Sequence, residues 1–193
     1  MIVRKSWSMP NKNTFIIKPL HNLIIETISN YVSSVPSKTK TILIVDAFAN
    51  ACSLKAEIEA LDSRIKYISN DLDEQYNTDF HLDAYDFYKT IDDEQADIVL
   101  FDPPFSPRQV SECYKSLGKT VNMETTQASF WSKLKKQIGR ITKYKGICVS
   151  FGWNSNGIGK SNGFEQREIE IVAHGGNHND TICTVEEKIY YVL

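Results

Sequence analysis

Two periodicities organise the chain. Unbroken apolar runs at Ile42-Leu43-Ile44-Val45, Ile98-Val99-Leu100-Phe101 and Ile147-Cys148-Val149 have the pattern of strands covered on both faces. They predict strands over 41–46, 97–102 and 146–151, with further strands over 64–69, 78–84, 164–173 and 181–193. Between them the apolar positions switch to helical spacing. Leu20, Leu23, Ile24, Ile28 and Val32 predict a helix over 20–32, and Phe130, Trp131, Leu134, Ile138 and Ile141 supply the buried side of one over 130–145. Shorter helices are expected over 54–61 and 106–118. Residues 1–12 are polar around Trp7 and predict an irregular arm; 33–40, with Pro36, and the polar stretch 119–128 predict loops, the latter placed to close on a substrate.

Strand alternating with helix predicts a single doubly wound, mostly parallel α/β sheet. In such a sheet, ligands sit beyond the carboxyl ends of the strands. The predicted strand ends carry acids in sequence: Asp46, Asp71 just after 64–69, Asp83 and Asp102. Asp102 is followed by Pro103 and Pro104, neither of which can extend a ladder, so the chain must leave the sheet there. That turn puts a carboxylate, a proline carbonyl and the Phe105 ring at the sheet edge.

Composition adds limits. The 193 residues, 41 % hydrophobic and 24 % charged, predict one domain, with an N-terminal arm and helix over 1–40 and an α/β core over 41–193. No secretory leader and no membrane-length apolar run is evident. Cys52, Cys113, Cys148 and Cys183 form no C-x-x-C pair and read as reduced thiols of a cytoplasmic protein. The formal net charge is -2, but it is unevenly spread. Residues 1–45 carry six basic and one acidic side chain, 46–102 four and fifteen, 103–160 ten and two, and 161–193 two and six. The basic block opens directly after the Asp102 turn, where a phosphate-bearing substrate would be drawn. The same lysines and arginines, Lys133, Lys135, Lys136, Arg140, Lys143 and Lys145, equally suit the solvated face of a helix.

Asp102-Pro103-Pro104-Phe105 resembles the D-P-P-[YF] motif of S-adenosylmethionine-dependent amino-methyltransferases, above all those acting on adenine N6 in DNA. An exocyclic amino nitrogen is a poor nucleophile because its lone pair is conjugated into the ring. Acceptors from Asp102 and the Pro103 carbonyl, aimed at its two N–H bonds, favour the tetrahedral geometry reached in attack. Pro104 would stiffen the turn, and Phe105 would stack a flipped-out base. The resemblance implies a Rossmann-like class I methyltransferase fold, with a mostly parallel seven-stranded sheet and one antiparallel strand. It places the cofactor loop at Asp46, Ala47, Phe48 and Ala49, where Asn50 stands for the family's glycine; asparagine tolerates a left-handed backbone better than other side chains. It assigns Asp71, with Leu72, to the ribose hydroxyls, and Asp83, with Ala84 and in preference to Asp86, to the cofactor's adenine. Lys18 and Pro19 fall in the element that lies against the methionine half. Arg108, Gln109, Trp153 and Asn154 are the substrate-side candidates.

Unlike many restriction-type relatives, the chain has no room for a large target-recognition domain. That keeps an RNA-base methyltransferase (guanine N2 or adenine N6) open, and Asn50 keeps open a cofactor-binding but inactive partner subunit. Gly157-Ile158-Gly159-Lys160-Ser161 is not a phosphate loop: the first glycine of that motif would fall on Asn154, and a strand follows instead of a helix. His174, His178 and Asp180 fit a glycine-rich hairpin turn better than a metal site; the resemblance implies that this turn lies on the cofactor side, and a substrate-facing role for it stays open. No metal is expected, and the partner class is nucleic acid, DNA before RNA.

Overall fold

A computed structural model describes residues 1–122 and 127–190. Its seven strands are β1 (Ile2–Ser6), β2 (Ile42–Asp46), β3 (Ile65–Ser69), β4 (Ala96–Phe101), β5 (Thr142–Gly152), β6 (Phe164–Ala173) and β7 (Thr181–Lys188). The helices are α1 (Lys18–Ser34), α2 (Lys55–Leu61), α3 (Ala84–Lys89), α4 (Pro107–Ser116) and α5 (Ala128–Ile141). The strands form one sheet in the order β1-β6-β7-β5-β4-β2-β3, in which only β7 runs antiparallel to its neighbours. The expected mostly parallel α/β sheet with one antiparallel strand is therefore present.

Side-chain alternation explains why both faces are covered. Ile42 and Ile44 of β2 and Ile98 and Leu100 of β4 join Leu20, Ile24 and Ile28 of α1 in one core. Val45, Val99 and Phe101 point the other way and meet Phe87 and Tyr88 of α3 and Leu134 and Ile138 of α5. Ile24 and Ile28 are fully buried, each contributing about 1.5–3 kcal/mol of apolar burial. Beneath the sheet's amino end, Asp97 acts as a peg. Its carboxylate accepts from the Tyr31 hydroxyl (2.9 Å), the Leu43 N–H (2.9 Å) and the Lys143 ammonium (2.5 Å).

Three expectations fail. The arm over 1–12 contains β1, which pairs in parallel with β6 from Ile2↔Ile169 to Ser6↔Ala173. Its extension is held by the Trp7 N–H on the Ala173 carbonyl (2.9 Å), and Lys5 pairs with the buried Glu170 at 2.7 Å. An edge strand with Ile2 70 % exposed has too little apolar surface to impose a period. The strand over 78–84 shrinks to a single bridge, Asn70↔Phe80. Asp79 replaces its ladder, accepting from the Ser69 N–H (2.8 Å), the Ser69 hydroxyl (2.7 Å) and Lys55 (2.7 Å). Finally α5 stops at Ile141 and β5 starts at Thr142, ahead of the predicted 146, with Lys145 at φ 63 and a register shift against β4. Part of the 119–128 loop and the end of the 181–193 strand lie outside the described residues.

Candidate functional site

The carboxyl ends of β2, β3 and β4 are tied together by their own polar side chains. Asp46, fully buried, accepts from the Tyr67 hydroxyl (2.6 Å) and the Phe48 N–H (3.1 Å). Burial nevertheless raises its carboxyl to about 7, with those two donors acting against the rise and Asp71 adding to it. The loop then turns through Asn50 at φ 47, the left-handed conformation its glycine-like role requires. Asn50 donates its N–H to Asp71 Oδ2 (2.8 Å), and Asp73 donates to Oδ1 (2.9 Å). Burial raises the Asp71 carboxyl, and these two N–H groups oppose it.

Asn70 is the clamp that the sequence did not reveal. Fully buried, it donates from Nδ2 to the carbonyls of Ala47 (3.1 Å) and Leu82 (3.0 Å) and accepts the Leu82 N–H (2.9 Å). It thereby fixes the loops that carry Asp46 and Asp83. Asp83 caps α3, accepting from the Tyr85 N–H (3.0 Å), while its other oxygen accepts from the Tyr114 hydroxyl.

The turn after β4 is braced on three sides. Trp131 of α5 donates Nε1–H to the Pro104 carbonyl (3.0 Å), and the Phe105 N–H donates to Gln109 Oε1 (2.6 Å). Ser106 caps α4 by accepting the Gln109 N–H (3.2 Å), with a proline in the helix's first turn. The Phe105 ring meets Trp153 edge-on, centroids 5.9 Å apart at 73°. Asp102, by contrast, keeps a buried Oδ1 with no hydrogen-bond partner among the described residues. Burial pushes its carboxyl up to about 7, the Thr14 hydroxyl opposing and Asp46 reinforcing the shift.

These elements enclose a cavity of about 870 Å³. Of the predicted residues, Ala47, Phe48, Ala49, Asp71, Leu72, Asp83, Ala84, Asp102, Pro103, Pro104, Phe105, Gln109 and Trp153 line it. Asp46 lies beneath, fully buried. Lys18 and Pro19 open α1 and line neither this cavity nor its neighbour, and Arg108 is spent on an exposed pair with Glu112 (2.7 Å). Gln109 is at the cavity, but its amide oxygen is committed to Phe105. The neighbouring cavity, about 620 Å³, shares Pro103, Phe105 and Trp153 with the first and is lined by Asn154.

Sequence reasoning missed Asn11, Asn13 and Phe15, which wall the main cavity where Lys18 and Pro19 were expected. It also missed Tyr76 and Tyr114, while the hairpin turn that the resemblance sets on the cofactor side brings Asn177, His178 and Asn179 to the cavity. The asparagines at 11, 13, 177 and 179 were the available signal. His174 turns away from any ligand role: its ring lies 2.9 Å from the Trp7 carbonyl and 2.8 Å from the Thr181 hydroxyl. Since a carbonyl only accepts, Nδ1 carries a proton. Among the described residues no group of three or more His, Cys, Asp or Glu could hold a metal ion. In the 157–161 loop, the N–H groups of Ile158 (2.5 Å) and Gly159 (3.0 Å) embrace the protein's own Glu186 carboxylate. Also among the described residues, no helix is long and apolar enough to cross a membrane.

No protein-family model and no curated protein sequence matches the chain. Solved structures do match. TrmN from Thermus thermophilus superposes with a TM-score of 0.56 at 14 % identity, over 86 % of this chain and 48 % of that one, so the chain spans about half the length of that protein. Precorrin-6y C5,15-methyltransferase from Geobacter metallireducens gives 0.60 at 11 % identity, covering 94 % and 95 %. The 1,6-didemethyltoxoflavin-N1-methyltransferase of Burkholderia thailandensis, whose structure holds 1,6-didemethyltoxoflavin and S-adenosylhomocysteine, gives 0.54 at 10 % identity, covering 88 % and 90 %. With this sheet order and these neighbours, the chain has the Rossmann-like fold of the class I methyltransferases.

Proposed function

We propose that the protein is an S-adenosylmethionine-dependent methyltransferase that modifies the exocyclic amino group of a nucleobase, adenine N6 in DNA foremost. The observation that carries this is the buried, unpartnered Oδ1 of Asp102, at the edge of a cavity built from strand ends and next to Pro103 and Phe105. An isolated buried acceptor costs about 1–3 kcal/mol, so a site that keeps one has a donor to receive. An amino group with two N–H bonds is such a donor.

The cavity suits the cofactor. Its volume lies within the roughly 300–1,000 Å³ of small-molecule sites. Asp71 retains lone pairs for ribose hydroxyls, Asp83 stands near α3 for an adenine, and the 47–49 loop with Asn11, Asn13 and Phe15 offers a wall for the methionine half. Buried carboxylates also favour a ligand carrying sulfonium and ammonium charges. When bound, the cofactor supplies an electrophilic methyl group on sulfur.

The remaining work belongs to the chain's own groups. Asp102 accepts one amino N–H and the Pro103 carbonyl the other, so the nitrogen lone pair is released from the ring. Phe105, held by Gln109 and Trp153, stacks the base. Trp131 locks the turn so that these acceptors need no reorganisation when the reaction occurs. The chain acts as one catalytic unit, and its free cysteines accord with a cytoplasmic setting.

The test is a labelled-methyl assay on DNA and RNA in parallel, followed by mass spectrometry of released nucleosides. N6-methyldeoxyadenosine is expected. Asp102→Ala should abolish it while calorimetric binding of the cofactor survives. Label in RNA alone would move the substrate assignment to RNA, and cofactor binding without product on any nucleic acid would overturn the enzymatic reading.

A further inference from the structure

Two members of the basic block after the Asp102 turn are committed inside the fold, and most of the others are exposed. Arg140 binds the carbonyls of Ile91 and Tyr88 (2.8 Å each) and Asp93 (2.6 Å), and Lys143 binds Asp97. Lys135 differs. It lines the 620 Å³ cavity, and its ammonium has no hydrogen bond or ion pair among the described residues. The acid that acts on it, Glu186, is already satisfied by the N–H groups of Ile158 and Gly159. Burial lowers the lysine's pKa, with Glu186 and Cys148 opposing.

A half-buried ammonium that Glu186 reaches only through space, with no hydrogen bond of its own, gains from an anion that comes into contact with it. The other polar side chains that line the cavity are neutral, among them the Ser132 and Ser161 hydroxyls and the Asn154 and Asn156 amides. One cation among neutral donors suits a phosphodiester with its sugar, which is singly charged and rich in acceptors. The wall formed by Pro103, Phe105 and Trp153 belongs to both cavities, so a phosphate at Lys135 would lie beside a base stacked on Phe105.

We propose that the 620 Å³ cavity is the sugar-phosphate subsite of the target nucleotide, with Lys135 neutralising its phosphate. The proposal rests on the nucleobase reading above and deepens it, because it requires a substrate that is part of a nucleic-acid strand and not a free base.

Binding of a short adenine-containing oligonucleotide, measured by fluorescence anisotropy across a potassium chloride series, tests it. Lys135→Met should weaken binding about tenfold at low salt and lower the slope of log K against log salt by about 0.7–0.9, the share of one phosphate contact. Lys135→Arg should keep the slope, and cofactor affinity should be unchanged in both. Replacing the target's phosphate with an uncharged methylphosphonate should reproduce the loss in the unmutated protein, which removes any dependence on how the variants fold. If wild type binds and methylates the strand but neither change alters affinity or slope, this subsite is wrong while the enzymatic reading stands. If wild type binds no nucleic acid, the nucleobase reading falls and takes the subsite with it.

Discussion

Replacing Asp102 with asparagine should make the protein more stable and inactive, and the gain should depend on pH in a defined direction. The carboxyl's ordinary value is 3.8, and in the folded chain burial raises it to about 7. Below about pH 4 it is protonated whether the chain is folded or not, so burying it carries no charge penalty. Between about 4 and 7 the unfolded chain has released the proton and the folded chain still holds it, so stability falls as pH rises. Above about 7 it is ionised in both states and the loss is complete. At about 1.4 kcal/mol per pKa unit, the penalty is on the order of 2–4 kcal/mol, the lower end allowing for repulsion shared with Asp46.

An asparagine side chain cannot ionise, so the variant escapes that penalty. Neutralising position 102 also lets Asp46, which it repels, ionise more readily, and this acts in the same direction. For a chain of this size, the melting temperature of Asp102→Asn relative to wild type should rise by about 5–10 °C between about pH 5 and pH 8.5. Calorimetric melts across that range measure it, with methyl transfer assayed on the same samples. A melting difference that stays constant with pH would show that Asp102 is not held against its charge, and the account of its unpartnered oxygen would fail.

Trp131→Phe removes the 3.0 Å bond to the Pro104 carbonyl while keeping a ring in place; kcat should fall about tenfold with cofactor affinity unchanged, as steady-state kinetics and calorimetry would report. Gly157→Ala should cost about 2–3 kcal/mol in urea unfolding, since its Cβ would run into the Glu186 carboxylate at a φ of 53. Asn50→Val should cost about 1–2 kcal/mol because a β-branched residue resists φ 47, whereas Asn50→Gly should hold or slightly raise stability, the bond to Asp71 coming from the backbone N–H that glycine retains.

What the sequence disclosed, and what it hid, follows from how local each cause is. The apolar runs of β2, β4 and β5 and the acids that end the first two are visible because burial on both faces leaves no polar position to blur the pattern. Asn50 was legible for a similar reason: a strand, a tight turn and a helix leave a place for one left-handed residue. β1 was not, because its neighbours are more than 160 residues away in β6 and its outer face is exposed. Nor was the clamp at Asn70, whose partners belong to two other loops, or the brace from Trp131, which reaches the turn after β4 from α5. The cavity's second wall, from Asn11 to Phe15 and from Asn177 to Asn179, exists only once β1 and the β6–β7 hairpin are side by side.

The distribution of satisfied and unsatisfied groups around the site argues for where its chemistry lies. Asp71 and Asp83 each use both oxygens within the protein, Asp46 uses both, and the turn after β4 spends its Pro104 carbonyl and Phe105 N–H on Trp131 and Gln109. Such bonds cost little to keep and make the frame stiff. Against that frame a single carboxylate oxygen at Asp102 stands buried and unpaired, at a pKa where half its charge is held back near neutrality. A donor arriving there gains a hydrogen bond that the fold has withheld, and a cationic ligand in the adjoining cavity would draw the carboxyl back toward its ionised, stronger-accepting form. Binding of the charged cofactor and readiness of the acceptor are then one equilibrium, so binding near pH 7 should release protons, by an amount that buffers of different ionisation enthalpy would measure in calorimetry and that Asp102→Asn would diminish.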